Sequence, residues 1–191
     1  MFTFKGLSGY ILILSLMILE GTGLPIPSEV IMPLTGYFSK LGYINFVIGV
    51  LMGTLGSLIG SIIDYFLSLK FGPFFIRKFG KYIMLTEERE KKLMVWFQKY
   101  GAFAVFSFRF VPEFRALISI PAGLVKMNLI KFIVFTFLGH LIWDVSLAFI
   151  GFVFYDKIDY VISLAEKFGD IVLVITVVVV AYYVVRIIYR S

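Results

Sequence analysis

No cysteine occurs anywhere in the chain. A disulfide, a thiolate nucleophile and a cysteine-held metal are therefore all excluded. There is one histidine, one short of the pair that a histidine-dependent membrane phosphatase would use. Charged residues are scarce, 16% against 60% hydrophobic. A soluble domain carries about 45–50% apolar residues, so the composition is that of an integral membrane protein. Gly-x-Ser-x-Gly, His-Glu-x-x-His and the Gly-rich phosphate loop of nucleotide hydrolases are absent. No catalytic residue, cofactor or metal is expected, and without an ATP site any transport must run downhill or be ion-coupled.

What charge there is leans positive, with a net of +6. Without an arginine-rich arm or a nucleic-acid-binding pattern, nucleic acid is not an expected partner, and the basic residues read as topology signals. No small-residue cleavage pattern follows the first apolar run, so the N-terminal segment is expected to be retained.

The most informative stretch runs Phe-Ser-Phe-Arg-Phe-Val-Pro-Glu-Phe-Arg over 106–115. Arginine and glutamate are expensive at membrane depth and usually face a bundle interior or a wet cavity. Pro112 removes a backbone donor between Arg109 and Arg115. Broken helix at that depth is tolerated only inside protein or along a cavity. The stretch therefore reads as half of an anion site, with an acidic partner upstream.

The chain divides into seven segments within a single membrane domain, 1–191. Residues 1–19 form an N-terminal helix, short for a full crossing, which takes about 20 residues. Residues 20–40, with Pro25, Pro27 and two glycines between apolar runs, predict a first re-entrant hairpin. A span over 43–69 carries Gly49, Gly53, Gly56 and Gly60 at helical spacing, as close helix packing requires. Residues 70–99 hold eight basic side chains, with aromatics recurring every three to four positions, and predict an amphipathic cytoplasmic helix. Residues 101–125 predict a second hairpin, broken at Pro112 and again at Pro121 and Gly123. Spans over 127–154 and 169–190 complete the chain.

The two hairpin-and-span units repeat. A shift of 87 places Pro25 on Pro112 and Gly36 on Gly123, and a shift of 83 places Gly56 on Gly139. If the N-terminal segment crosses, thirteen Lys and Arg lie on one face and three on the other, with Arg109 and Arg115 apart from both. Positive-inside then puts both termini in the cytoplasm, and the hairpins enter from opposite faces. Broken elements of inverted repeats are where secondary transporters place their sites.

At these residues the chain closely resembles the DedA family, also called the SNARE-associated Golgi or VTT-domain family. The resemblance rests on Glu20 with Pro25-x-Pro27-x-Glu29, Phe108-Arg-Phe-x-Pro-x-x-Arg115, Pro121-Ala-Gly123, and Gly139 through Trp143-Asp144, and it covers most of 15–150. It implies an all-α membrane protein with two opposed re-entrant hairpins in the cell membrane. It also implies movement of a polyprenyl-phosphate carrier or phospholipid between leaflets, coupled in several members to protons or sodium. By motif position the family's essential acids map to Glu20 and Glu29 and its essential arginines to Arg109 and Arg115. The glycine-aspartate usual after the first glycine stretch reads Gly60-Ser61 here, with Asp64 three residues on.

The chemistry leaves two roles for the arginines. A guanidinium is a planar, permanently charged fork suited to phosphate, so Arg109 and Arg115 read as headgroup ligands. The alternative is that they pair with Glu20, Glu29 or Glu113 and hold the hairpins together, and the two roles can alternate. Glu29, then Glu20, are the candidate proton carriers. Asp144, Glu113 and Asp64 are secondary candidates, and His140 is expected to hydrogen-bond locally with Asp144 one turn on. Two other functions fit the same charges: a proton or small-ion antiporter, and a non-transporting scaffold or assembly factor. A homo-oligomer is compatible with either.

Overall fold

A computed structural model describes residues 6–79, 87–111, 114–164 and 167; for 73, 75–79 and 87–93 it describes the backbone alone. Pro112, Glu113 and the span expected over 169–190 lie outside the described residues. Regular structure among the described residues is entirely helical: α1 Gly6–Gly21, α2 Ser28–Lys40, α3 Phe46–Phe79, α4 Glu87–Phe108, α5 Phe114–Leu117, α6 Ser119–Leu124 and α7 Leu129–Val153. A 3-10 turn, Tyr155–Lys157, follows α7.

Local chemistry sets the boundaries. α1 stops where Thr22-Gly23-Leu24-Pro25-Ile26-Pro27 begins, and Gly23 turns the chain at φ +72, a conformation glycine adopts freely. Helix resumes directly after Pro27. α7 opens on Asn128, whose side chain accepts a hydrogen bond from the Lys131 amide at 3.1 Å, a standard N-cap.

Two helices contain stretches long and apolar enough to cross a membrane, Phe46–Gly72 with 27 residues and Leu129–Val153 with 25. At 1.5 Å per residue they measure about 40 and 37 Å, against a hydrocarbon core of about 30 Å. α1 and α2, with 16 and 13 residues, reach only about 24 and 20 Å.

α1 packs along α3, α2 along α7, α6 against α3, and α3 along α7, with α4 flanking α7. Small residues make these approaches possible. A Cβ on Gly56 would lie 2.6 Å from the Leu14 carbonyl oxygen, and one on Gly53 2.7 Å from Met32 Sδ. Gly60 abuts the Ile18 carbonyl, Gly36 the Ala148 carbonyl and Gly151 the Pro33 carbonyl. The glycine spacing in 43–69 thus serves helix packing.

Three boundaries differ from expectation. α3 runs on to residue 79 past the apolar stretch, and residues 87–99 join 100–108 as one helix, α4. Hydropathy marks where side chains change solvent; the hydrogen-bond ladder continues through such a change wherever nothing interrupts it. Pro121 and Gly123, expected as breaks, lie inside α6 and do not interrupt that helix. Pro121 is the third residue of α6, in the first turn, where its missing N–H has no intrahelical partner to lose. Gly123 abuts the Tyr65 carbonyl of α3.

Candidate functional site

The two long helices bury matching stripes. α7 buries Phe132, Thr136, His140, Asp144 and Ala148, one residue per turn. α3 buries Val50, Thr54, Ser57, Ser61 and Tyr65. The polar members fall near mid-length of both helices. One apolar cluster, built on Ile13, Met17, Met32, Val50 and Ala148, closes one end of the layer. A second, built on Tyr65, Val105, Ile118 and Phe132, closes the other. Charges sealed this way must be paired or hydrogen-bonded within the protein.

α1 and α5 deliver those charges. Glu20, in the last turn of α1, and Arg115, in α5, are both buried, and Arg115 Nη2 donates to Glu20 Oε1 in an ion pair between residues 95 apart in sequence. Ser57 Oγ donates to Glu20 Oε2 at 3.0 Å, so both carboxylate oxygens are engaged. The Arg115 guanidinium carbon lies 5.8 Å from the centre of the Trp143 ring, within cation–π range.

Arg109 is fully buried yet meets no carboxylate among the described residues. Its Nη1 donates to the Arg115 backbone carbonyl, and its Nη2 donates to Ser119 Oγ at 3.0 Å and Thr136 Oγ1 at 3.1 Å. It thus ties the turn after α4 to α5, α6 and α7 through neutral acceptors. Gly139 makes room for its stem: a Cβ there would lie 2.8 Å from both Arg109 Cβ and Cγ.

The remaining acids divide. Asp144 is fully buried in the same layer, its Oδ2 accepting from Thr54 Oγ1 at 3.0 Å. The expected bond between His140 and Asp144 is not formed. His140 Nε2 pairs instead with Ser61 Oγ on α3 at 3.3 Å, because both side chains point across the helix interface. Glu29, half-buried in the first turn of α2, and Asp64, half-buried on α3, are not brought into a hydrogen bond with the arginines. Pro25 and Pro27 lie exposed in the loop after α1.

The hydroxyls that complete the layer were not candidates from sequence. Thr54, Ser57, Ser61, Asp64 and Ser68 step along α3 by alternating threes and fours, a single helix face. That periodicity is the signal that could have found them.

A family model, the VTT domain, matches residues 26–153. The chain belongs to the VTT-domain, or DedA, family. It is similar to undecaprenyl phosphate transporter A of Bacillus subtilis (strain 168), 36% identical over 158 residues, covering 83% of this chain and 80% of that protein. It is also similar to undecaprenyl phosphate transporter A of Staphylococcus aureus (strain NCTC 8325 / PS 47), 32% identical over 182 residues, 93% of this chain and 90% of that one. A third relative carries another kind of name, alkaline phosphatase-like protein of Lactococcus lactis subsp. lactis (strain IL1403), 35% identical over 175 residues, 87% of this chain and 80% of that one. No solved structure matches the chain. This VTT-domain protein is a membrane protein whose buried arginines sit inside the matched region, with Glu20 just ahead of it.

Proposed function

We propose that this protein moves a lipid with a phosphate headgroup, a polyprenyl-phosphate carrier or phospholipid, between the leaflets of the cell membrane, coupled to protons or sodium. The observation that carries the reading is the buried Arg115–Glu20 pair at mid-length of the long helices, with one guanidinium nitrogen, Nη1, left without a protein partner. A phosphate is the ligand such a fork suits, and two relatives bear the name of a transporter for a lipid of this class.

The working architecture is an inverted repeat of re-entrant hairpin plus spanning helix, and the packing supports it. Gly56 and Gly139, 83 apart, face the carbonyls of Leu14 and Phe106, 92 apart. Gly36 and Gly123, 87 apart, face those of Ala148 and Tyr65, again 83 apart. So α1 corresponds to α4, α2 to α6 and α3 to α7, and each second limb packs on the other copy's long helix. The pairs Thr54–Asp144 and Ser61–His140 run α3 and α7 antiparallel, as inversion demands. In this reading the protein is multi-pass with both termini in the cytoplasm, and it performs no hydrolysis.

The test is purified protein in liposomes carrying a labelled polyprenyl phosphate and a leaflet-specific quencher. Lipid movement lost in Arg115→Ala and Arg109→Ala is the expected result. Ion flux without lipid movement would make it an antiporter, and release of phosphate a hydrolase. Neither activity, with a stable protein partner, would make it a scaffold.

A further inference from the structure

Arg115 is not alone in holding an unused donor. Among the described residues, Ser28 Oγ, Arg109 Nε, Arg115 Nη1, His140 Nδ1, Trp143 Nε1 and Asp144 Oδ1 are buried without a hydrogen-bond partner. Ser28 itself is fully buried and opens α2, with no side chain capping that helix end. Orphaned buried donors are rare and point to a ligand. Of these, Arg115 Nη1 and Trp143 Nε1 belong to side chains in cation–π contact, and Ser28 Oγ lies at the start of the helix packed beside them.

Their placement converges. Trp143 lies beneath the Arg115 guanidinium, 5.8 Å from ring centre to Cζ. Ser28 reaches the same level from α2. Thr35 packs at Gly49 and Met32 at Gly53, so α2 runs antiparallel to α3. One turn back from Met32, Ser28 then comes level with Ser57, the residue bonded to Glu20. The backbone amides of the first α2 turn add partial positive charge there.

We propose that Ser28 Oγ, Trp143 Nε1 and Arg115 Nη1 form a three-donor cup for the terminal oxygens of a phosphomonoester. The inference rests on the phosphate-lipid reading and sharpens it: three donors match the three non-bridging oxygens of a monoester, whereas a diester headgroup offers two. Arg115 serves two partners at once, Glu20 through Nη2 and the phosphate through Nη1, so the ion pair need not open for the headgroup to bind. Glu20, Asp144 and Glu29 are the acids that face this region. Glu20 is already neutralised by Arg115, Asp144 has one carboxylate oxygen bonded to Thr54 and the other without a partner, and Glu29 is half-exposed.

The chain has two tryptophans, so Trp96→Phe leaves Trp143 as a single reporter. In detergent, that protein with ¹⁵N-labelled indole is titrated with decaprenyl phosphate, decaprenol, phosphatidylglycerol and inorganic phosphate. The Trp143 indole N–H resonance is expected to move with decaprenyl phosphate and to stay still with decaprenol and phosphatidylglycerol. A matching shift with inorganic phosphate supports a cup that reads the bare group; a shift with the lipid alone supports a headgroup site. Ser28→Ala, and Trp143→Phe, which keeps the ring under Arg115, should each weaken decaprenyl phosphate binding about tenfold, as loss of one hydrogen bond to a charged group does. Decaprenol binding should not change. An unmoved resonance, with both variants binding decaprenyl phosphate as the parent does while Arg115→Ala loses it, overturns the cup and leaves the transport reading standing. No phosphate binding by the parent overturns both.

Discussion

The two arginines of this site do different work, and their partners show it. Arg109 donates to three neutral oxygens, one of them the backbone carbonyl of Arg115, and so ties α5, α6 and α7 together. A lysine has one compact ammonium and cannot reproduce that divergent fork. Arg109→Lys should therefore lower the thermal midpoint in detergent and stop lipid movement together. Arg115 instead pairs with Glu20 inside the layer. Removing one partner of a buried pair leaves an uncompensated charge and costs about 3–5 kcal/mol, while replacing both with apolar groups can be neutral. Glu20→Gln should melt several degrees lower than the parent, and Glu20→Gln with Arg115→Met should recover most of that loss without recovering lipid movement. Lipid movement restored along with stability would make the pair a fastener and nothing more. That the arginines need acidic partners was legible in the sequence, because such charges inside apolar stretches demand them; which of Glu20, Glu29 and Glu113 meets Arg115 was not. Ser57, Ser119 and Thr136 were not, since a serine or threonine in an apolar helix can satisfy itself on the carbonyl one turn back.

At the scale of the helix, backbone-to-backbone contact decides stability. Gly36 abuts the Ala148 carbonyl and Gly151 the Pro33 carbonyl, so α2 and α7 touch without side chains between them. Neither neighbour is a flexible tip that could move aside. Gly36→Ala and Gly151→Ala should each force the pair apart, at about 1–3 kcal/mol, readable as a lowered thermal midpoint. Gly42 has open space around it but sits at φ +76. Gly42→Ala should cost only about 1 kcal/mol, from backbone conformation alone. Reversal of that order would show that the close approaches relax more easily than carbonyl neighbours allow. The glycine spacing in α3 was readable as a packing face. That Gly36 meets Ala148 and Gly151 meets Pro33 across α2 and α7 was not, because contact between distant segments leaves no local period. The extent of α3 was hidden for another reason, since composition changes at residue 70 while the helix does not.

For the whole molecule the central issue is whether the two halves enter from opposite sides. The glycine correspondences and the antiparallel run of α3 and α7 support the proposed two-fold relation between the halves. Such a relation places equivalent points on opposite faces of the bilayer. Lys40 ends α2, and Lys126 follows α6, which the proposed repeat matches to α2; both are exposed. The absence of cysteine makes the experiment clean, since every thiol would be an introduced one. In cells or right-side-out vesicles, Lys40→Cys should react with a membrane-impermeant maleimide, while Lys126→Cys should react only after the membrane is opened. Inverted vesicles should exchange the two results. Reaction of both from one side would end the inverted arrangement, and with it the physical reason for a charged layer at mid-length. Two hairpins entering from the same side could not each bring a broken end to the middle from its own leaflet. A headgroup would then meet Arg115 from one leaflet only, which describes a receptor for the lipid and not a route across.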